Sequence, residues 1–180
     1  MKKIILIIAI ALTPFLTNAQ IPAFEKYDDN TDVRKIQVFE SSFRIGSRIG
    51  RTVDEAKEFL DLVKGIKGVK VYMTEDNRIA SDMVKTVISY SKSASLSELF
   101  RVQDKDGNVR VYVKEGKRND GHIKELVMVV NGFDSKIEVK GQNVEALIFT
   151  LIGDIDLDKI SEIAGALNIN GAEHLKKAKQ

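Results

Sequence analysis

Between Ala146 and Ile152 the chain carries apolar side chains on both faces of an extended segment: Ala146, Ile148 and Ile152 on one side, Leu147, Phe149 and Leu151 on the other. A strand of this kind has no face to leave in water, so it belongs in the middle of a sheet that is covered on both sides. Gly153 and Asp154 interrupt the run, and Asp156 is placed to accept the first free N–H groups of a helix. Leu157, Ile160, Ile163, Ala164 and Leu167 then recur at helical spacing. The stretch predicts a central strand, a tight acidic turn and an amphipathic helix that packs back on the sheet.

The rest of the chain has to supply strands that flank this one and helices that cover it. Val33 to Phe39 reads as a first strand, with Ser41 or Ser42 available to cap a short helix. Thr52 and Glu55 form a capping box ahead of the stripe Val53, Ala56, Phe59, Leu60 and Val63, and Gly65 offers a left-handed stop. Val69, Val71 and Met73 alternate as in a strand, and Ala80, Met83, Val84, Val87 and Ile88 mark a second helix. Leu99 to Gln103 and Val109 to Val113 flank the turn residues Asp104-Lys105-Asp106-Gly107, which predicts a hairpin. Leu126 to Val130 is a further apolar strand, and Ile137 to Val139 pairs briefly before the last one. The sum is an α+β domain with one mixed, largely antiparallel sheet and helices packed on a face, in the order β-α-β-α-β-β-β-β-α. Its parts are a signal peptide (1–19), an amino-terminal arm (20–32), the domain itself (33–167) and a polar tail (168–180).

The address is written in the first residues. Lys2 and Lys3 form a positive n-region, Ile4 to Leu16 is a short apolar core, and Thr17-Asn18-Ala19 supplies small residues for a signal peptidase. The apolar core is shorter than the roughly 20 residues that span a bilayer, and no later segment is long enough. Cleavage after Ala19 is expected, giving a periplasmic or secreted protein that begins at Gln20. The chain has no cysteine, which removes disulfides, thiolate nucleophiles, cysteine-based zinc sites and a cysteine-linked lipid anchor. Loss of Lys2 and Lys3 leaves 26 of the 28 basic residues against 26 acidic ones, so the mature chain is formally neutral. Neutrality argues against a nucleic-acid partner, which calls for a basic excess.

Two groups of polar residues are candidate sites. Arg44, Arg48 and Arg51 are spaced four and three apart, which on a helical turn brings the guanidinium groups to one side as a hold for a phosphate or carboxylate. Asp154, Asp156 and Asp158 alternate as in a calcium loop. An EF-hand that begins at Asp154 would nevertheless put Lys159 where glycine is needed and Gly165 where the bidentate glutamate belongs, so any cation site there is irregular. His122 and His174 have no serine elbow or carboxylate spacing that would make a triad, and neither is assigned to catalysis. No motif for a cofactor is present.

The Ala19-Gln20 junction, Phe24-Glu25-Lys26-Tyr27, the hairpin Leu99-Phe100-Arg101-Val102 to Val109-Arg110-Val111-Tyr112-Val113-Lys114-Glu115, and the ending from Leu147 to Leu157 complete the pattern. Together they are similar to a family of exported proteins of unknown function from Bacteroidetes-type Gram-negative bacteria. The resemblance implies an envelope location and a small single-domain α+β protein, with no catalytic residues to transfer. The reading that follows is a non-enzymatic binding or interaction module of the cell envelope, a monomer or weak dimer whose partner is an envelope protein or a small ligand. The alternatives are a hydrolase that uses carboxylates brought together by the fold, and a cation-binding module at Asp154 to Asp158.

Overall fold

The computed structural model describes residues 21–46, 54, 57, 60–61, 63–104, 107–116, 121–132, 137–139 and 142–159. A 3-10 helix, Pro22–Tyr27, leads into β1 (Val33–Phe39) and the short α1 (Glu40–Gly46). Asp54, Lys57, Leu60 and Asp61 are helical in the segment for which a capped helix is predicted; Thr52 and Glu55 lie outside the described residues. Then come β2 (Ile66–Thr74), α2 (Asn77–Ser93), β3 (Ser97–Asp104), β4 (Gly107–Glu115) and β5 (His122–Asn131). A small hairpin of β6 (Ile137–Val139) and β7 (Gln142–Val144) precedes β8 (Ala146–Asp156), and the 3-10 turn Leu157–Lys159 follows it.

Six strands form one sheet in the order β1-β2-β8-β5-β4-β3. β8 is central, as its two apolar faces require. The sheet is the largely antiparallel one expected of an α+β domain, and every pairing in it is antiparallel, so the mixed component is absent among the described strands. The reason lies in the crossover. α2 returns the chain to the end of the sheet where β2 began, so β3 runs the same way as β2; yet β8, β5 and β4 fill the places between them, and the two parallel strands never touch.

Both faces of the sheet are covered. On one, α2 and the 3-10 helix press Ile21, Phe24, Tyr27, Ala80, Met83 and Val87 onto Tyr72, Tyr112, Val127, Val129, Ala146 and Ile148. On the other, Phe43 and Val63 cover Val69, Val111, Leu126, Phe149 and Leu151. α2 starts where it does because the Asp76 side chain accepts hydrogen bonds from the N–H groups of Arg78 and Ile79 at 2.7 and 3.0 Å.

The acidic turn predicted at Gly153-Asp154 is a correction: β8 continues through it to Asp156. Gly153 makes this possible by allowing β2 and β8 to come together. Asp154 N–H donates to the Gly65 carbonyl at 2.9 Å, and a Cβ on Gly153 would fall on that same carbonyl oxygen. The helix predicted over Leu157 to Leu167 is present as a 3-10 turn at Leu157–Lys159, and its remainder lies outside the described residues.

Candidate functional site

Each of the two predicted clusters falls only in part among the described residues. Arg44 is exposed in the last turn of α1, and Arg48 and Arg51 lie outside the description. Asp154 and Asp156 stand on β8, Asp156 across from His122 of β5, and the Asp158 side chain is outside the description. Among the described residues no group of three histidines, cysteines or carboxylates is placed to hold a metal ion.

The polar constellation the fold does build begins with the amino-terminal arm. Phe24 and Tyr27 are 1% and 2% exposed, and their rings pack on Tyr72 with centroids 6.3 and 5.9 Å away. Tyr27 donates its hydroxyl to Asp82 of α2 at 2.7 Å, and burial with that carboxylate beside it pushes the phenol far above its ordinary range. The next residue carries the anchor. Asp28 accepts from the Tyr72 hydroxyl at 3.0 Å, lies 3.3 Å from the ammonium of Lys70 and 3.2 Å from that of Lys35. Burial alone would raise the Asp28 carboxyl; Lys35, Tyr72 and Lys70 outweigh it and hold the group below its usual value. Lys70 is 4% exposed. A strand of period two reads as having one face in water, and Lys70 belongs to that polar set, but the arm covers it.

The arm in turn fixes one wall of a cleft of about 670 Å3. It opens where β1 begins and β2 ends, and is lined by Thr31, Asp32, Arg34, Met73, Thr74, Glu75, Asp76 and Val144. Register explains the meeting: Val33 stands opposite Thr74 and Arg34 opposite Met73, so the residues before β1 run beside those after β2. The Thr74 hydroxyl donates to the Asp32 carbonyl at 2.9 Å and accepts from Asp76 N–H at 3.1 Å, which pins the two segments together. Glu145 N–H donates to the Thr74 carbonyl at 2.9 Å and brings the β7 end alongside.

The acids here do different jobs. Asp76 is committed to capping α2, and the two backbone N–H groups hold its carboxyl below the ordinary range. Asp32, Glu75 and Arg34 engage no side-chain partner among the described residues. The cleft thus offers two carboxylates and one guanidinium at its mouth that are unspent among the described residues, a set suited to a ligand that carries positive charge together with a carboxylate. Sequence reasoning missed it because Thr31 and Val144 are more than a hundred positions apart in the chain. The signal that points to it is the pair of polar strand ends, Asp32 with Arg34 and Glu75 with Asp76, once β1 and β2 are paired.

A family model, the domain of unknown function DUF4252, matches residues 27–163. The chain belongs to that family. The DUF4252 match takes in the whole six-stranded sheet and begins at Tyr27, within the arm that anchors the cleft wall. No curated protein and no solved structure matches the chain.

Proposed function

We propose that this DUF4252 protein is an exported, non-enzymatic binding module of the cell envelope whose ligand site is the cleft between the ends of β1 and β2. The observation that carries the reading is the pairing of unengaged charges in one cavity: Asp32 and Glu75 with Arg34, none of them spent on an internal ion pair among the described residues. All three are exposed at the mouth, where a ligand can reach them and replace their water with charge-assisted hydrogen bonds. The complementary ligand is a small zwitterion with an excess of positive charge, such as a basic amino acid or a short basic peptide. Its ammonium or guanidinium groups meet Asp32 and Glu75, and its carboxylate meets Arg34. Export is supported by the Lys2-Lys3 start, the apolar run to Leu16 and the small residues before Gln20.

Isothermal titration calorimetry with arginine, lysine and dilysine tests the reading. Saturable binding is expected, and Glu75→Gln and Arg34→Ala should each weaken it about 10- to 100-fold, the worth of one charge-assisted hydrogen bond. Absence of binding by all three ligands to the folded protein would rule the cleft out as a site of this chemistry.

A further inference from the structure

Both outer strands of the sheet leave one backbone edge unpaired among the described residues, and the two differ in how they are protected. β3 is guarded. Its register with β4 slips between Glu98 and Phe100, and Arg101 reaches back to Glu98 at 2.7 Å, so a bulge and an ion pair sit on that edge. β1 has no bulge, and its ion pair, Lys35 with Asp28, turns the ammonium toward the arm. Its seven residues pair with β2 without irregularity from Val33 to Phe39. Lys35, which would ordinarily discourage strand addition, has its ammonium drawn onto Asp28. Ile36 and Phe39 are left 46% and 52% exposed.

From this edge we infer that the protein forms a symmetric homodimer by antiparallel pairing of β1 with β1 of a second copy, centred on Ile36. The strand's own sequence selects that occupant. Ile36 is the midpoint of β1, so a two-fold axis through it pairs all seven residues. It sets Ile36 against its counterpart, Arg34 against Val38, Lys35 against Gln37 and Val33 against Phe39. Within these seven pairs no like charges meet, and the two exposed apolar side chains fall against apolar partners, Phe39 on Val33 and Ile36 on Ile36. Moving the centre to Lys35 would put two lysines face to face and lose pairs at the end. The result is a continuous sheet made of two six-stranded halves, with the two clefts at opposite ends of the joined strands. The inference rests on the edge of β1 and shares Arg34 with the cleft; substitutions at positions 36 and 99 leave Arg34 in place, so its failure and that of the ligand reading are distinguishable.

Sedimentation of residues 20–180 over a range of concentrations reads the association, and Ile36→Lys tests the register by placing lysines opposite one another. The expected result is a dimer for the wild type and a monomer for a folded Ile36→Lys protein at the same concentration. A wild type that stays monomeric throughout, or an Ile36→Lys protein that still dimerises, would overturn the inference. Should Ile36→Lys fail to fold, single-cysteine variants decide, which the cysteine-free chain makes clean. Ile36→Cys and Leu99→Cys replace residues of similar exposure, 46% and 41%, on the two outer strands. A short bis-maleimide should join copies through position 36 and not through 99; equal yields at the two positions would reduce the contact to random collision and refute it.

Discussion

Replacing Asp28 by asparagine removes one negative charge and leaves the shape of the side chain in place, so its effect isolates the electrostatics of the arm. Lys70 is then an ammonium 4% exposed whose polar neighbours, the amide at position 28 and the Tyr72 hydroxyl at 3.3 Å, carry no charge. Stripping the partner from a buried pair costs about 3–5 kcal/mol. Lys35, with about a third of its side chain in water, adds little, because exposed pairs are worth roughly 1 kcal/mol at most. We expect Asp28→Asn to lower stability by about 3 kcal/mol, the low end because the chain can relax to hydrate Lys70. For a domain of this size that corresponds to a fall in Tm of about 6–12 °C. Urea unfolding at neutral pH measures it. The pH dependence supplies a second reading. A carboxyl held below its unfolded value stabilises the fold above that value, near pH 4, and the contribution disappears as pH falls through the lower, folded one. The wild type should therefore lose this stability on acidification below about pH 4, and Asp28→Asn should show no such component. Adding Lys70→Met should restore most of the loss, since the apolar side chain fills the same space without a charge. An Asp28→Asn protein within about 1 kcal/mol of wild type, or a double variant no better than the single one, would refute the argument from burial.

Glu125 is 9% exposed and one of its carboxylate oxygens has no hydrogen-bond partner among the described residues; burial raises its pKa, against the weaker pull of the Tyr90 hydroxyl and Lys114. An acid with a raised folded value destabilises the fold at neutral pH and ceases to do so as pH falls toward the unfolded value, so the Glu125 contribution to stability should improve on acidification from pH 7 toward about 4.3. Glu125→Gln should raise stability at pH 7 by about 1–2 kcal/mol and abolish that trend, as urea midpoints at pH 7 and 5 would show. Gly153→Ala should cost about 2–4 kcal/mol, because the new methyl meets the Gly65 carbonyl and forces β2 and β8 apart. Loss of the Asp154 N–H bond to Gly65 should appear as faster amide hydrogen exchange at Asp154.

Much of the scaffold is legible in the sequence because it depends on short-range pattern. The two apolar faces of Ala146 to Ile152 announce a central strand, Asp104 to Gly107 a hairpin, and Ala80, Met83 and Val87 the inward face of α2. The end of β8 is harder to read. Gly153 looks like a stop in isolation, and its role in letting two backbones touch exists only once Gly65 is beside it. The cleft is harder still. Asp32 and Glu75 look like ordinary solvated acids, and the strand register that makes them neighbours is a property of the paired sheet. Three arginines close together in sequence draw attention for the opposite reason, and of these Arg44, the one described, stands outside the cleft. Lys70 shows the same limit: a lysine between Val69 and Val71 gives no local sign of burial, which is decided by an arm some forty residues earlier in the chain.

The position of β8 has a consequence for how the molecule comes into being. β8, the last of the described strands to be made, is the keystone between β2 and β5, and until it arrives the sheet consists of two separate pieces, a β1-β2 ribbon and a β3-β4-β5 meander. Each then shows an open apolar border to its surroundings. Because the closing pairs join Val71 to Phe149 and Leu126 to Leu151, the decisive contacts span both long and short stretches of chain, and completion waits on the longest of them. Any product that ends before residue 146 lacks the seam and remains two adhesive halves, which makes premature termination a route to aggregation and not to a smaller working domain.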